Sequence, residues 1–152
     1  MWRKILLKKK PEDKHPVKEI SYAQMKKAIQ EYSLELPKNI PLQVLIKDDL
    51  SVDHTLLLPY LKAIPKKTFY MSKETYDLFE EEERHIAVAL DQVQRAVDQY
   101  IAQKKSLPII DHDPYRKVSF FKLEQLNLIQ ERPEIDFFIT DQEYLVTTKK
   151  PQ

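Results

Sequence analysis

The sequence predicts an α/β fold: a single compact domain of two fused helix-strand-helix-strand repeats around a small four-stranded sheet, parallel or mixed. Three observations predict it. First, the chain repeats itself with a shift of 68 residues, and Gln24/Gln92, Ala28/Ala96, Tyr32/Tyr100, Ser51/Ser119, Leu58/Leu126, Pro65/Pro133, Phe69/Phe137 and Tyr76/Tyr144 fall in order. An ordered set that keeps caps, prolines and aromatics together marks one structural unit used twice. Second, apolar residues in each unit step at helical spacing and then alternate at strand spacing. Third, strands joined through helices of about a dozen residues favour parallel pairing with right-handed crossovers. With 152 residues in all, each half alone would bury little apolar surface, so both are expected to share one core.

Residues 1–18 read as a basic, loosely attached arm, and 19–152 as the domain. Residues 1–19 hold seven basic and three acidic side chains together with Pro11 and Pro16. Trp2, Ile5, Leu6 and Leu7 stand among Arg3, Lys4, Lys8, Lys9 and Lys10. Such a mixture can lie on an anionic membrane surface; a plain solvated terminus explains it as well.

Repeat one spans about 21–79. Tyr22, Met25, Ile29 and Tyr32 step by 3, 4 and 3, which puts them on one helical face. Ser21 is the cap, and Pro37 closes the helix. Leu42, Val44 and Ile46 alternate with Gln43, Leu45 and Lys47, which predicts a short strand. Ser51 or Asp53 caps a second helix that runs through Leu57, Leu58 and Leu61, with Pro59 near its start, and stops before Pro65. Thr68 to Met71 make a second strand.

Ser72 then caps the longest helix, 73–103, shared by both repeats. Phe79, Ile86, Leu90, Val93, Val97 and Ile101 step by 7, 4, 3, 4 and 4, a core stripe. Glu80 to Glu83 come early and Lys104 and Lys105 late, as the helix dipole favours. Repeat two spans about 89–147. It reads as a strand from Pro108 to Ile110, a helix capped by Ser119, a strand from Asp136 to Ile139, and a capping box of Thr140 and Glu143. Residues 111–121 read as loop or helix start; alternatively Lys117 to Phe121 is a strand, making a hairpin around Asp113-Pro114.

Composition excludes more than it supports. Hydrophobic residues are 42%, charged residues 32% and the net charge is +1, so nothing steers the protein toward nucleic acid, which is not an expected partner. The chain has no cysteine, which removes disulfides, thiolate zinc sites and cysteine nucleophiles. It also has no glycine, where average usage of about 7% would give roughly ten. A Walker-type phosphate loop, a dinucleotide fingerprint and a nucleophile elbow each need backbone that glycine provides, so those enzyme classes are out. No apolar run reaches the roughly 18 residues of a membrane span. The N-terminal apolar stretch of three residues is not a secretion signal.

One constellation carries catalytic residue types. Asp111, His112 and Asp113 follow an expected strand, and Asp48, Asp49, Asp53 and His54 echo them in repeat one. Ligands in open α/β sheets bind beyond the carboxyl ends of strands, and imidazole with carboxylates can hold zinc, iron or manganese. Asp-His-Asp-Pro is also ordinary turn chemistry, with aspartates bonding local backbone. The turn reading is preferred, so no metal and no other cofactor is expected. Phe69, Tyr70, Phe137 and Phe138 could suggest base stacking, but no basic residues interleave with them and core packing is expected instead.

Phe-Tyr-Met-Ser-Lys-Glu-Thr-Tyr-Asp-Leu-Phe over 69–79 and Phe-Phe-Ile-Thr-Asp-Gln-Glu-Tyr-Leu-Val-Thr over 137–147 resemble segments of short, functionally uncharacterised proteins of Bacillus-type bacteria. The resemblance covers about the last hundred residues and brings no catalytic residues with it. It implies a bacterial intracellular setting. The expectation is therefore a non-enzymatic interaction protein with a protein partner, cytoplasmic, and held at the inner membrane face through Trp2, Arg3, Lys4, Lys8, Lys9 and Lys10. The alternative is a metal-dependent hydrolase using Asp111, His112 and Asp113 with His54.

Overall fold

Ser21 opens the first long helix as its chemistry requires. Its hydroxyl accepts the Gln24 N–H at 3.1 Å, and its own N–H donates to Gln24 Oε1 at 2.8 Å, a reciprocal capping box. A computed structural model describes residues 15–150 and shows a mixed α/β protein of helices and short strands in small sheets. Its contacts cluster into two compact units: residues up to 71 with 78–84, and residues 72–77 with those from 85 onward.

In the first unit, β1 (Val17–Lys18) is followed by α1 (Tyr22–Glu35), which buries Met25, Ala28 and Ile29 and ends before Pro37. A short helix, α2 (Leu58–Leu61), carries Pro59 in its first turn, where the missing N–H breaks no bond. It ends on Lys62 in the left-handed region, φ 53°. Then come β2 (Ile64–Pro65), β3 (Tyr70–Met71) and β4 (Leu78–Phe79). β1 pairs with β2 in parallel, Val17 opposite Ile64, and β3 pairs with β4 antiparallel, Tyr70 opposite Phe79. Single bridges extend the second pair: Ser51 to Tyr70 and Ile46 to Val52. The Val52 N–H donates to Phe69 O at 2.8 Å and the Met71 N–H to Leu50 O at 2.9 Å.

The second unit is built on α3 (Arg84–Lys104), with α4 (Phe120–Gln125), β5 (Phe138–Ile139) and β6 (Val146–Thr147). β5 and β6 pair antiparallel, Ile139 opposite Val146. Bridges from Lys117 to Phe138 and from Ile109 to Val118 extend this pair. The Val118 N–H donates to Phe137 O at 2.8 Å and the Ile139 N–H to Arg116 O at 3.0 Å. Ser119 caps α4, accepting the Lys122 N–H at 3.2 Å. Phe137, Leu123, Ile139, Val118 and Val146 are all buried, and the Phe137 ring meets Phe120 edge to face.

Several expected elements differ. No four-stranded sheet forms among the described residues; they hold three two-stranded pairings, two of them antiparallel. Strands of two residues give too little ladder for a broad sheet, and hairpin turns bring neighbours together without crossovers. The strand expected at 42–46 is a 3-10 helix, Leu42–Leu45. Pro41 sets a turn there, the Val44 N–H bonding Pro41 O at 3.2 Å, and alternation over so few residues fits a tight helix too.

The helix expected over 73–103 begins only at Arg84, after a 3-10 turn at Glu81–Glu83 capped by Glu80. Ser72 does accept the Glu74 and Thr75 N–H groups as a cap would, at 3.2 and 2.9 Å. Tyr76 then turns left-handed, φ 63°, and the chain pairs back as β4. Likewise no helix follows Thr140; its N–H bonds Leu145 O at 2.8 Å and β6 begins. The hairpin alternative for 111–121 describes the Ile109 to Val118 bridge. The arm expected over 1–18 is tied down at its last residues, with the Ile64 N–H on Pro16 O at 2.8 Å and the Lys66 N–H on Lys18 O at 3.0 Å.

Candidate functional site

The Asp111-His112-Asp113 loop is a hairpin connection in the second unit. The Asp113 N–H bonds Ile110 O at 3.1 Å, and Asp113 Oδ1 accepts the Tyr115 N–H at 2.7 Å. His112 sits left-handed at φ 65°, which fits a turn. Lys122, the third residue of α4, reaches Asp111 Oδ1 and Ile109 O, both at 2.8 Å. Its ammonium hydrogen bond and charge hold the Asp111 carboxyl below the ordinary carboxylate range. Two of the three residues are thus engaged locally. His54 belongs to the first unit, at the start of a 3-10 helix capped by Asp53. Among the described residues, no three His, Cys, Asp or Glu side chains are arranged to hold a metal ion. Trp2, Arg3, Lys4, Lys8, Lys9 and Lys10 lie outside the described residues.

The second unit contains two buried polar side chains on α3, Asp91 and Gln94. Asp91 receives the Ser72 hydroxyl, the Lys73 N–H at 3.1 Å and the Glu74 N–H at 3.3 Å. One carboxylate thus fixes the whole 72–75 turn. Gln94 Nε2 donates to Tyr144 O at 3.3 Å, and Gln94 Oε1 accepts the Val146 N–H at 2.7 Å. An amide side chain therefore pairs with the outer edge of β6 as a further strand would, closing that edge to other chains. Both residues are structural anchors.

The surface with unusual chemistry lies at the C-terminal end of α1 in the first unit. Tyr32 on α1 and Tyr60 on α2 stand at right angles, with centroids 6.4 Å apart and planes at 85°. The Tyr60 phenol donates to the Glu35 carboxylate, and this bond, with burial and the charges of Glu35 and Glu31, pushes its pKa up to about 12. The last turn of α1 holds Glu35 and no basic residue, and Glu31 stands one turn before Glu35, against the preference of the helix dipole for cations there. Between those glutamates, Leu34 is 86% exposed. A cleft of about 230 Å³ lies along the same helix, lined by Lys27, Ala28 and Glu31 of α1 and by Tyr60 and Leu61.

The sequence offered a signal, because acid at a helix C-terminus runs against the dipole. Tyr32 steps with Tyr22, Met25 and Ile29 along one helical face, and Tyr60 lies 28 residues away, so their meeting depends on the turn that places α2 against α1.

These features define a mixed α/β protein of helices and short paired strands. The chain matches, over residues 15–148, the family described as Protein of unknown function (DUF3939), and it belongs to that family. No curated protein and no solved structure matches it.

Proposed function

We propose that this chain is a non-enzymatic interaction protein and that the acidic, aromatic end of α1 is its contact surface for a protein partner. The observation that carries the reading is Leu34, 86% exposed on α1 between Glu31 and Glu35, near the end of the helix that also contributes Tyr32 to its crossed pair with Tyr60. An exposed aliphatic side chain on a helix end that also carries a half-buried tyrosine offers the mixed apolar and aromatic surface that partner contacts use. The hydrolase alternative draws no support from Asp111, bound to Lys122, or from Asp113, bound to its own turn. The expected setting belongs to the same proposal: a bacterial cytoplasm, with attachment to an anionic membrane face through the basic residues of 1–10.

The proposal also includes duplication of one unit. In support, the bonds Val52 to Phe69 and Met71 to Leu50 have counterparts in Val118 to Phe137 and Ile139 to Arg116. The turns that precede β4 and β6 are closed alike, Ser72 N–H to Asp77 O and Thr140 N–H to Leu145 O. Tyr76 and Tyr144 are both left-handed, φ 63° and 58°. The shift is 66 residues at Val52 and Val118 and 68 at Phe69 and Phe137, so a two-residue difference lies between them.

A photo-crosslinking amino acid placed at position 34 in cells that express the protein tests the contact surface. A discrete adduct from position 34, missing when the group sits at exposed Gln125, supports it. No adduct from position 34 contradicts it.

A further inference from the structure

One face of α3 is taken up by the turns it holds. Asp91, Gln94, Arg95 and Asp98 step by 3, 1 and 3, which puts them on that face. Asp91 receives the Ser72 hydroxyl and the Lys73 and Glu74 N–H groups, and Arg95 pairs with Glu74 at 3.6 Å. Gln94 bonds Tyr144 O and the Val146 N–H. At the 68-residue shift the matching face of α1 is Ala23, Lys26, Lys27 and Gln30, and all four are exposed. A turn is left over too. In the turn held by Asp91, Ser72 is buried and Lys73, Glu74 and Thr75 are half-buried. Its counterpart, closed by the Thr140 N–H on Leu145 O, leaves Asp141, Gln142, Glu143 and Tyr144 exposed. Asp141 pairs with Arg116, yet its side chain is still 91% exposed.

We propose that copies of this chain associate by seating the 140–144 turn of one copy on the Ala23–Gln30 face of α1 in another. The contact repeats between chains what α3 and the 72–75 turn make within one. Charge supports the pairing. The α1 face carries Lys26 and Lys27 and no carboxylate, while the turn carries Asp141 and Glu143 and no cation. Position 23 holds alanine where α3 has Asp91, which removes the one helix charge that would repel an acidic turn. An unrelated acidic protein would satisfy the lysines and leave the exposed turn uncovered; a second copy covers both. The two surfaces are unlike, so each copy keeps one of each, and the contact closes into a ring or extends. The inference rests on the duplication of one unit and goes beyond it.

Sedimentation velocity of the full chain tests this. The average mass is expected to rise above the monomer between about 1 and about 300 µM, since association follows mass action. It should fall back at about 1 M salt, where charges are screened beyond about 3 Å. Lys26→Glu/Lys27→Glu and Asp141→Lys/Glu143→Lys should each weaken association about tenfold or more, because attraction becomes repulsion. Mixing the two variants should restore it, since every α1 face then meets a turn of opposite charge. Glu131→Lys/Glu134→Lys adds as much positive charge as the turn variant and should associate like the native chain. All the substituted positions are exposed, so folded chains are expected, and circular dichroism checks them. Association that persists in either of the first two variants, or equal loss in the Glu131/Glu134 variant, would overturn the proposal. So would a mixture that stays monomeric, or a native chain that is monomeric at every concentration. That last result would remove the contact and leave the matching bonds of the two units standing, so the two readings fail separately.

Discussion

Gln94 and Val146 are joined by a buried hydrogen bond, with the Val146 N–H donating to Gln94 Oε1 at 2.7 Å. The same amide donates to Tyr144 O, so one side chain satisfies a backbone acceptor just before β6 and a backbone donor at its first residue. Replacing Gln94 by Leu keeps the volume and strands both groups. The expected loss is about 2 kcal/mol, since a buried unpaired backbone group is costly. A lower urea midpoint with an unchanged slope checks it.

Asp91 should matter more, because it closes three donors of the 72–75 turn at once. Asp91→Ala is expected to destabilise by about 3 kcal/mol, as hydrogen bonds to a charged acceptor exceed neutral ones. Ser72→Ala should cost less. The double variant should fall short of the sum by about 1 kcal/mol, because both changes break one network. Simple additivity in denaturant titrations would show that the two side chains act separately.

Phe137 is 0% exposed and Phe69 4% exposed. Each Phe→Ala change leaves a cavity and is expected to cost about 3–5 kcal/mol. Thermal unfolding measures both, and an unaltered midpoint for either would remove that ring from the core.

The Tyr60 phenol should titrate near the value of about 12 to which its bond to Glu35 pushes it from an ordinary 10.0. Glu35→Gln should bring it back toward 10, visible in the ring carbon shift followed by NMR. The folded state holds the proton more tightly than the unfolded chain does. The bond's contribution to stability is therefore complete below about pH 10 and fades as pH rises through the folded value.

Much of the local structure was legible because its chemistry is short-range. The Ser21 cap, the Met25 and Ile29 stripe and the Ser119 cap need only a few adjacent residues to declare themselves. The buried face of α3 at Leu90, Val93 and Val97 shows the same periodicity in sequence and structure. What was not legible depends on partners far along the chain. Ser72 looks like a helix cap because its hydroxyl does accept the next N–H groups, but Asp91, 19 residues on, holds that turn and β3 draws the chain back. Asp91 and Gln94 read as solvated helix positions until the backbone groups they serve are placed. The crossed ring pair at α1 is hidden for the same reason, since Tyr32 and Tyr60 belong to different helices.

The interaction surface at the end of α1 is tested most directly by crosslinking from position 34 in expressing cells, with and without Glu31→Lys/Glu35→Lys on the same chain. A single adduct is expected with the native glutamates. Its yield should fall severalfold with the lysines, because charge complementarity sets the encounter and the register. An adduct of equal yield on both chains, or none on either, would contradict the assignment of this surface.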